Sequence, residues 1–293
     1  MRIDIIMKEI LRHWGMTDAV ITPMDYTSGV ENAAWDVDGR FVLQRKRPED
    51  LTRSIDLTQF LTQRGVPVVT YLPTTACDFV SPCGQYCIAN KVSGEHVSLL
   101  ENPQLAATVG HELARLHLAL AELPPEFTIR NENALNNWHS WVLPNLDDDF
   151  PAEILTCMEI WLRDTYPKLP HQPIHRDAHM HNALFDIGTN RLLAWLDFDI
   201  ACRGARVFDI AYLLGGLLVD KQNDASQVQV WHDVCRGVKA AYSAVSPLTK
   251  DEYDGLYNTI ILVELYFAAF WQMKGKTAQV GSAKRLALWL YNN

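Results

Sequence analysis

The sequence predicts an α+β protein of two lobes, a small antiparallel-sheet lobe over residues 1–92 and a larger, mainly helical lobe over residues 93–293. Three observations carry this. Residues 22–92 hold short apolar runs between turn signals, the texture of a small sheet. Past Gly94, apolar residues recur at helical spacing through most of the chain. Residues 173–199 interrupt that helical run with short apolar strands separated by polar residues.

The elements follow in order. Ile5, Ile6, Ile10, Leu11 and Trp14 have helical spacing, ended near Gly15. Residues 33–37 and 40–45 flank Asp38-Gly39, a two-residue hairpin signal. A helix is expected over residues 51–63, closed by Gly65, then strands from Val66 and over residues 86–92. Further helices are expected over residues 105–120, 154–162, 227–244, 252–273 and 283–291.

At 293 residues the chain is long enough for two cores sharing a cleft. A net charge of -9 argues against a general nucleic-acid or membrane-surface binder, since either wants a basic face. The start, Met1-Arg2-Ile3-Asp4, has no basic n-region or cleavage site, and residues 259–271, the most apolar stretch, are too short to span a bilayer and carry Glu264. A cytoplasmic protein is expected. Six cysteines with no Cys-x-x-Cys pair are too sparse for a disulfide scaffold and read as reduced thiols.

The chemistry is concentrated in Ile174-His175-Arg176-Asp177-Ala178-His179-Met180-His181-Asn182, followed by an apolar strand. A second strand, Leu192 to Leu196, runs into Asp197-Phe198-Asp199. A hairpin of the two strands would bring Asp177 and Asn182 to one mouth with Asp197 across from them. Phosphoryl transfer asks for such a set, because its loose transition state needs positioning and charge neutralisation more than covalent help. Asp177 suits the carboxylate beside an acceptor hydroxyl. Asn182 and Asp197 suit the hard oxygen ligands of Mg2+ on ATP.

These residues resemble the aminoglycoside phosphotransferase and choline kinase superfamily, whose fold is similar to that of protein kinases. His175-Arg176-Asp177 with Asn182 matches its catalytic loop, Asp197 stands at its metal-binding position, and Phe208-Asp209-Ile210-Ala211 looks like its following helix start. The resemblance implies a bilobal protein-kinase-like fold, ATP and Mg2+ as cofactors, and a small-molecule acceptor with a hydroxyl: an amino alcohol, a sugar, a homoserine-like molecule or an aminoglycoside-type antibiotic. It also implies that His175 and Asp209 brace the loop and that adenine lies against residues 90–92. Ser28 and Gly29 resemble the phosphate-covering loop of the homoserine kinase-like branch. The third-strand cation that meets the phosphates falls among Gln44, Arg45 and Lys46, of which Gln44 and Lys46 share one face. The helical Glu that would pair with it is not evident; Ser54 and Asp56 stand there instead.

Blander readings compete at several positions. His175, His179 and His181 beside Asp177 could belong to a metal hydrolase. Asp199 reads as a strand-end carboxylate facing water, and His111 and His117 as helix-packing residues. Glu264 and Trp271 fall where the resemblance places an acceptor pocket, and residues 147–149 read as a solvated acidic loop. A degenerate nucleotide-binding module and a protein Ser/Thr kinase are the rival functions. The short link from Gly188 to Leu192, with no long activation segment after Asp199, argues for a small acceptor.

Overall fold

The computed structural model describes residues 2–24, 33–146 and 150–293. Helix α1 (Arg2–Leu11) passes into a 3-10 turn over Arg12–Trp14, and Met7, Ile10, Leu11 and Trp14 pack on the first sheet. That sheet contains β1 (Ile21–Pro23), β2 (Ala33–Val37), β3 (Phe41–Arg45), β4 (Tyr71–Leu72) and β5 (Tyr86–Asn90) in the order β1-β2-β3-β5-β4, antiparallel throughout. Asp38 and Gly39 both take positive φ, and Arg40 N–H closes the turn on the Val37 carbonyl at 3.1 Å, as a type I′ hairpin turn asks. Strand pairing resumes at Phe41 rather than at Arg40, and the Asp36 and Asp38 carboxylates accept the Gly39 and Val20 N–H groups at 2.7 Å each.

Helix α2 (Pro48–Gln63) crosses the sheet between β3 and β4. Leu51 and Ile55 pack against Tyr71, Cys87 and Ala89 of the sheet, while Leu57 and Leu61 belong to the large core of the second lobe. The helix thus spans both hydrophobic cores.

The second lobe contains α3 (Ala106–Ala121), β6 (Arg130–Asn131), α4 (Ala134–Asn137) with a π turn over Trp138–Val142, α5 (Ala152–Asp164), β7 (His171–Ile174), the hairpin β8 (Ala183–Asp186) and β9 (Arg191–Trp195), β10 (Cys202–Ala205), α6 (Val207–Leu218), α7 (Ala225–Val245), α8 (Lys250–Met273) and α9 (Thr277–Asn292). Strand β10 lies between β6 and β7, parallel to the first and antiparallel to the second. Helices α3 and α7 approach so closely that a Cβ at Gly110 would meet the Val238 carbonyl at 2.2 Å, which only glycine permits.

Several helices begin earlier than the apolar pattern suggests, and their caps explain it. Asp224 accepts the Ser226 N–H at the start of α7, and Thr249 and Glu252 form a capping box at the start of α8. The first turn of each is polar, so hydrophobic periodicity does not register it. Among the described residues no helix is long and apolar enough to cross a membrane. Residues 25–32, which include Ser28 and Gly29, lie outside the described residues, as do residues 147–149.

Candidate active site

The loop that carries Asp177 leaves β7 at Ile174 and reaches β8 through a 3-10 turn over Met180–Asn182. Asp209, fully buried on the first turn of α6, accepts the N–H groups of His175 and Arg176 at 2.8 Å each. His117 Nε2 lies 2.9 Å from the same carboxylate, and its Nδ1 lies 2.7 Å from the Tyr242 hydroxyl. His117, read as a packing residue, thus belongs to the loop's anchorage. His175 Nδ1 accepts the Asp177 N–H at 3.3 Å, so its Nε2–H donates to the Leu196 carbonyl at 2.8 Å and ties the loop to the strand before Asp197. Arg176 sits at φ +73, held by Glu132 at 2.6 Å and stacked 3.6 Å above the Phe208 ring.

These anchors present Asp177 to the cleft. Its Oδ1 accepts the Tyr212 hydroxyl at 2.5 Å and its Oδ2 accepts Asn182 Nδ2 at 2.8 Å. Burial pushes the carboxyl up, but the His179 ring 3.6 Å away, the Tyr212 hydrogen bond and His175 outweigh it and hold it down at about 2. Asn182 Nδ2 also donates to the Asp177 carbonyl at 2.9 Å, which leaves the amide oxygen as the side chain's acceptor. The Asn182 carbonyl receives the Leu196 N–H at 2.9 Å, so Asn182 and Asp197 stand at neighbouring ends of the β8–β9 hairpin.

Lys46, just past β3, crosses the cleft to the acidic loop. Its Nζ lies 3.0 Å from Asp197 and 2.7 Å from Asp199. Burial pulls the ammonium down, but the charges of Asp197 and Asp199 outweigh it and hold it above its ordinary value. Burial pushes both aspartates up; Lys46 more than offsets this for Asp197, which is lowered, whereas Asp199 is raised to about 7 with the Asp197 charge adding to the rise. Asp199 is therefore not the water-facing carboxylate that its place at a strand end suggests: it is 8% exposed and faces Lys46. It supplies the acid that α2 does not. Helix α2 sends Arg53 to the Asp199 carbonyl at 3.1 Å instead.

The cleft has a cavity volume of about 1960 Å³, larger than the ordinary pocket for one small ligand and roomy enough for two. Lys46, Asp177, Asp197 and Asp199 line it, and Trp141, Tyr266, Phe267, Phe270 and Trp271 add an aromatic wall. Glu264 lines it too, 1% exposed. Among the described residues its Oε1 has no hydrogen-bond partner. Burial pushes that carboxyl up to about 8, with the charge of Asp220 adding to the rise.

The structure brings together Asp177, Asn182, Asp197, His175 and Asp209 in one cluster. Arg45 reaches the cleft rim, but Gln44 turns to Cys87, whose thiol donates to its Oε1 at 3.7 Å. Lys46, two residues on and on the same face of the strand, takes the position across from the acid pair. Alternation put Gln44 and Lys46 on one face; the distance to the acidic loop distinguishes them. Tyr212, the residue after Phe208-Asp209-Ile210-Ala211, carried no expected contact. Among the described residues no group of three or more His, Cys, Asp or Glu side chains is placed to hold a metal ion.

The APH model of the phosphotransferase enzyme family matches residues 25–248. The chain belongs to that family. This phosphotransferase is 27% identical over 237 residues to the homoserine kinase of Methylobacillus flagellatus, an alignment covering 77% of this chain and 71% of the relative. Its fold matches the amicoumacin kinase hAmiN, solved in complex with AMP-PNP, Ca2+ and Ami, with a TM-score of 0.74 at 13% identity over 97% of this chain and 92% of the other. A microcompartment-associated aminopropanol kinase matches with a TM-score of 0.74 at 18% identity, covering 98% and 94% of the two chains. The phosphotransferase therefore has the bilobal kinase-like fold.

Proposed function

We propose that this phosphotransferase moves the γ-phosphoryl group of ATP to the hydroxyl of a small amine-bearing alcohol, with homoserine the first candidate. The observation that carries this reading is the convergence of Asp177, Asn182, Asp197 and Lys46 on one mouth of the cleft. The homoserine kinase relatives support the acceptor, and so does the cavity: its aromatic faces attract an ammonium group, and Glu264, whose raised carboxyl holds its proton near pH 7, has an unpartnered oxygen to accept a hydrogen bond.

The donor set fits magnesium: one amide oxygen and one carboxylate are hard ligands, too few for a site built by protein alone but sufficient with phosphate and water oxygens. Asn182 Oδ1 and Asp197 would hold the ion, which when bound neutralises charge on the phosphates. The lobe of residues 1–92 covers the nucleotide, with Lys46 as the cation beside the phosphates and Arg45 at the rim.

Asp177 keeps one oxygen lone pair directed at the acceptor and takes its proton as the new O–P bond forms and the bond to the ADP oxygen breaks. A carboxylate held at about 2 is a weak base, so the proton moves late, once the acceptor oxygen has become acidic. The test is an ADP-release screen of homoserine, other amino alcohols, hexoses, amino sugars and aminoglycosides. Asp177→Asn should lower turnover by on the order of a hundredfold or more while nucleotide affinity stays near wild type. Unchanged turnover in that variant removes Asp177 from the chemistry, and bound nucleotide without ADP release across the whole panel removes the transfer reading.

A further inference from the structure

Asp177 is gripped at both oxygens, and the two donors come from different parts of the chain. Asn182, on the catalytic loop itself, takes Oδ2; Tyr212, on α6, takes Oδ1. The torsion that turns a carboxylate about its Cβ–Cγ bond is soft and roughly two-fold, so a single hydrogen bond leaves the oxygens free to swing. Two donors on opposite oxygens stop that motion.

We propose that Tyr212 is a positioning residue for phosphoryl transfer: its hydroxyl fixes which lone pair of Asp177 faces the acceptor. This rests on the phosphotransfer reading above, in which Asp177 is the base. Tyr212 is built to hold still. It lies three residues after Asp209 on α6, so one face of that helix clamps the loop backbone with the carboxylate and the base with the phenol. Its ring stacks on His179 at 5.7 Å and 24° and meets Phe267 of α8 at 5.3 Å. Burial and the Asp177 charge push the phenol well above its ordinary value, so it stays a donor throughout the working pH range. Phenylalanine would satisfy both ring contacts. Among the described residues the hydroxyl bonds only to Asp177.

The test is Tyr212→Phe, which keeps the ring and deletes the donor. A hydrogen bond to a charged group is worth a factor on the order of ten to a hundred in rate when it is lost. The expected result is a kcat lower by about that factor, with KM for ATP and for the acceptor, and the melting temperature, each close to wild type. A kcat within about twofold of wild type overturns the proposal. So does a loss carried wholly by the acceptor KM, which would make Tyr212 a substrate contact, or a fall in kcat matched by a fall in melting temperature, which would make it a packing residue. Wild type measured in parallel separates this from the parent reading. An active wild type with an unaffected Tyr212→Phe variant removes the role of Tyr212 alone, whereas a wild type that releases no ADP with any acceptor removes the phosphotransfer reading itself.

Discussion

Glu264 shows what one buried carboxyl does to stability. In the unfolded chain it titrates at its ordinary value of 4.5; in the fold, where burial and Asp220 oppose its charge, at about 8. Between those values the folded state holds a proton that the unfolded state has lost, so stability falls as pH rises through that window and is level above it. Glu264→Gln keeps the shape and does not titrate. Its melting temperature should track wild type near about pH 4.5 and exceed it by several degrees above about pH 8. A wild type that gains on the variant as pH rises would contradict the assignment. Lys46 and Asp199 show the limit of a sequence reading at the same scale. Alternation put Lys46 on the right face of its strand, yet its partner is 153 positions away, and no local pattern reports that a cation will arrive beside an aspartate at a strand end. Asp199 looked water-facing for that reason. Tyr212 was hidden likewise, since its contact with Asp177 exists only once α6 has docked on the loop.

Elements were more legible than contacts. The long helices declare themselves by apolar spacing, and the hairpin that carries Asn182 and Asp197 at its ends follows from two apolar strands with a polar mouth. Helix starts were less so, because caps are polar. In α8 the Thr249 hydroxyl accepts the Glu252 N–H at 3.2 Å, and the Glu252 side chain accepts the Thr249 N–H at 2.8 Å and binds Arg206 at 2.7 and 2.9 Å. That box therefore fixes both the first turn of α8 and the residue that precedes α6. Thr249→Ala should cost about 1 kcal/mol and lower the melting temperature by roughly 2–4 °C, with kcat unchanged, and Thr249→Ser should recover most of the loss. Thermal denaturation with parallel rate assays reads both; equal melting of Thr249→Ala and wild type would mean that Glu252 alone holds the turn. The pattern gave no sign of the π turn over Trp138–Val142. Helical periodicity shifts by one residue there, and the aromatic spacing reads the same either way.

For the whole molecule, the question is how firmly the two lobes are joined. The β8–β9 hairpin carries part of the join: its Trp195 N–H donates to the Pro67 carbonyl at 2.8 Å, and Trp195 forms a parallel β-bridge with Val68. Helix α2 adds a hydrophobic tie, with Leu57 and Leu61 in the large core and Leu51 and Ile55 in the sheet core. The bilobal fold could be read from the change of texture along the chain, but these stitches could not, because they pair segments distant in sequence. A ligand held by Asn182 and Asp197 at the ends of that hairpin and by Lys46 from the first lobe grips both lobes at once, so its binding energy should stabilise the molecule as a single unit. At a free concentration of one hundred times Kd, ATP with magnesium should add about 2.7 kcal/mol, or roughly 5–10 °C, to one cooperative melting transition. On the proposed ligand set Asp197→Asn takes a charged oxygen from the metal, so its shift with ATP and magnesium should shrink to the shift seen with ATP and a chelator. Scanning calorimetry distinguishes the outcomes. Two separate transitions, with only one moved by nucleotide, would mean that the lobes unfold independently. An undiminished magnesium-dependent shift in Asp197→Asn would mean that the ion is held elsewhere, and the geometry of the hairpin mouth would then serve the phosphates through Lys46 alone.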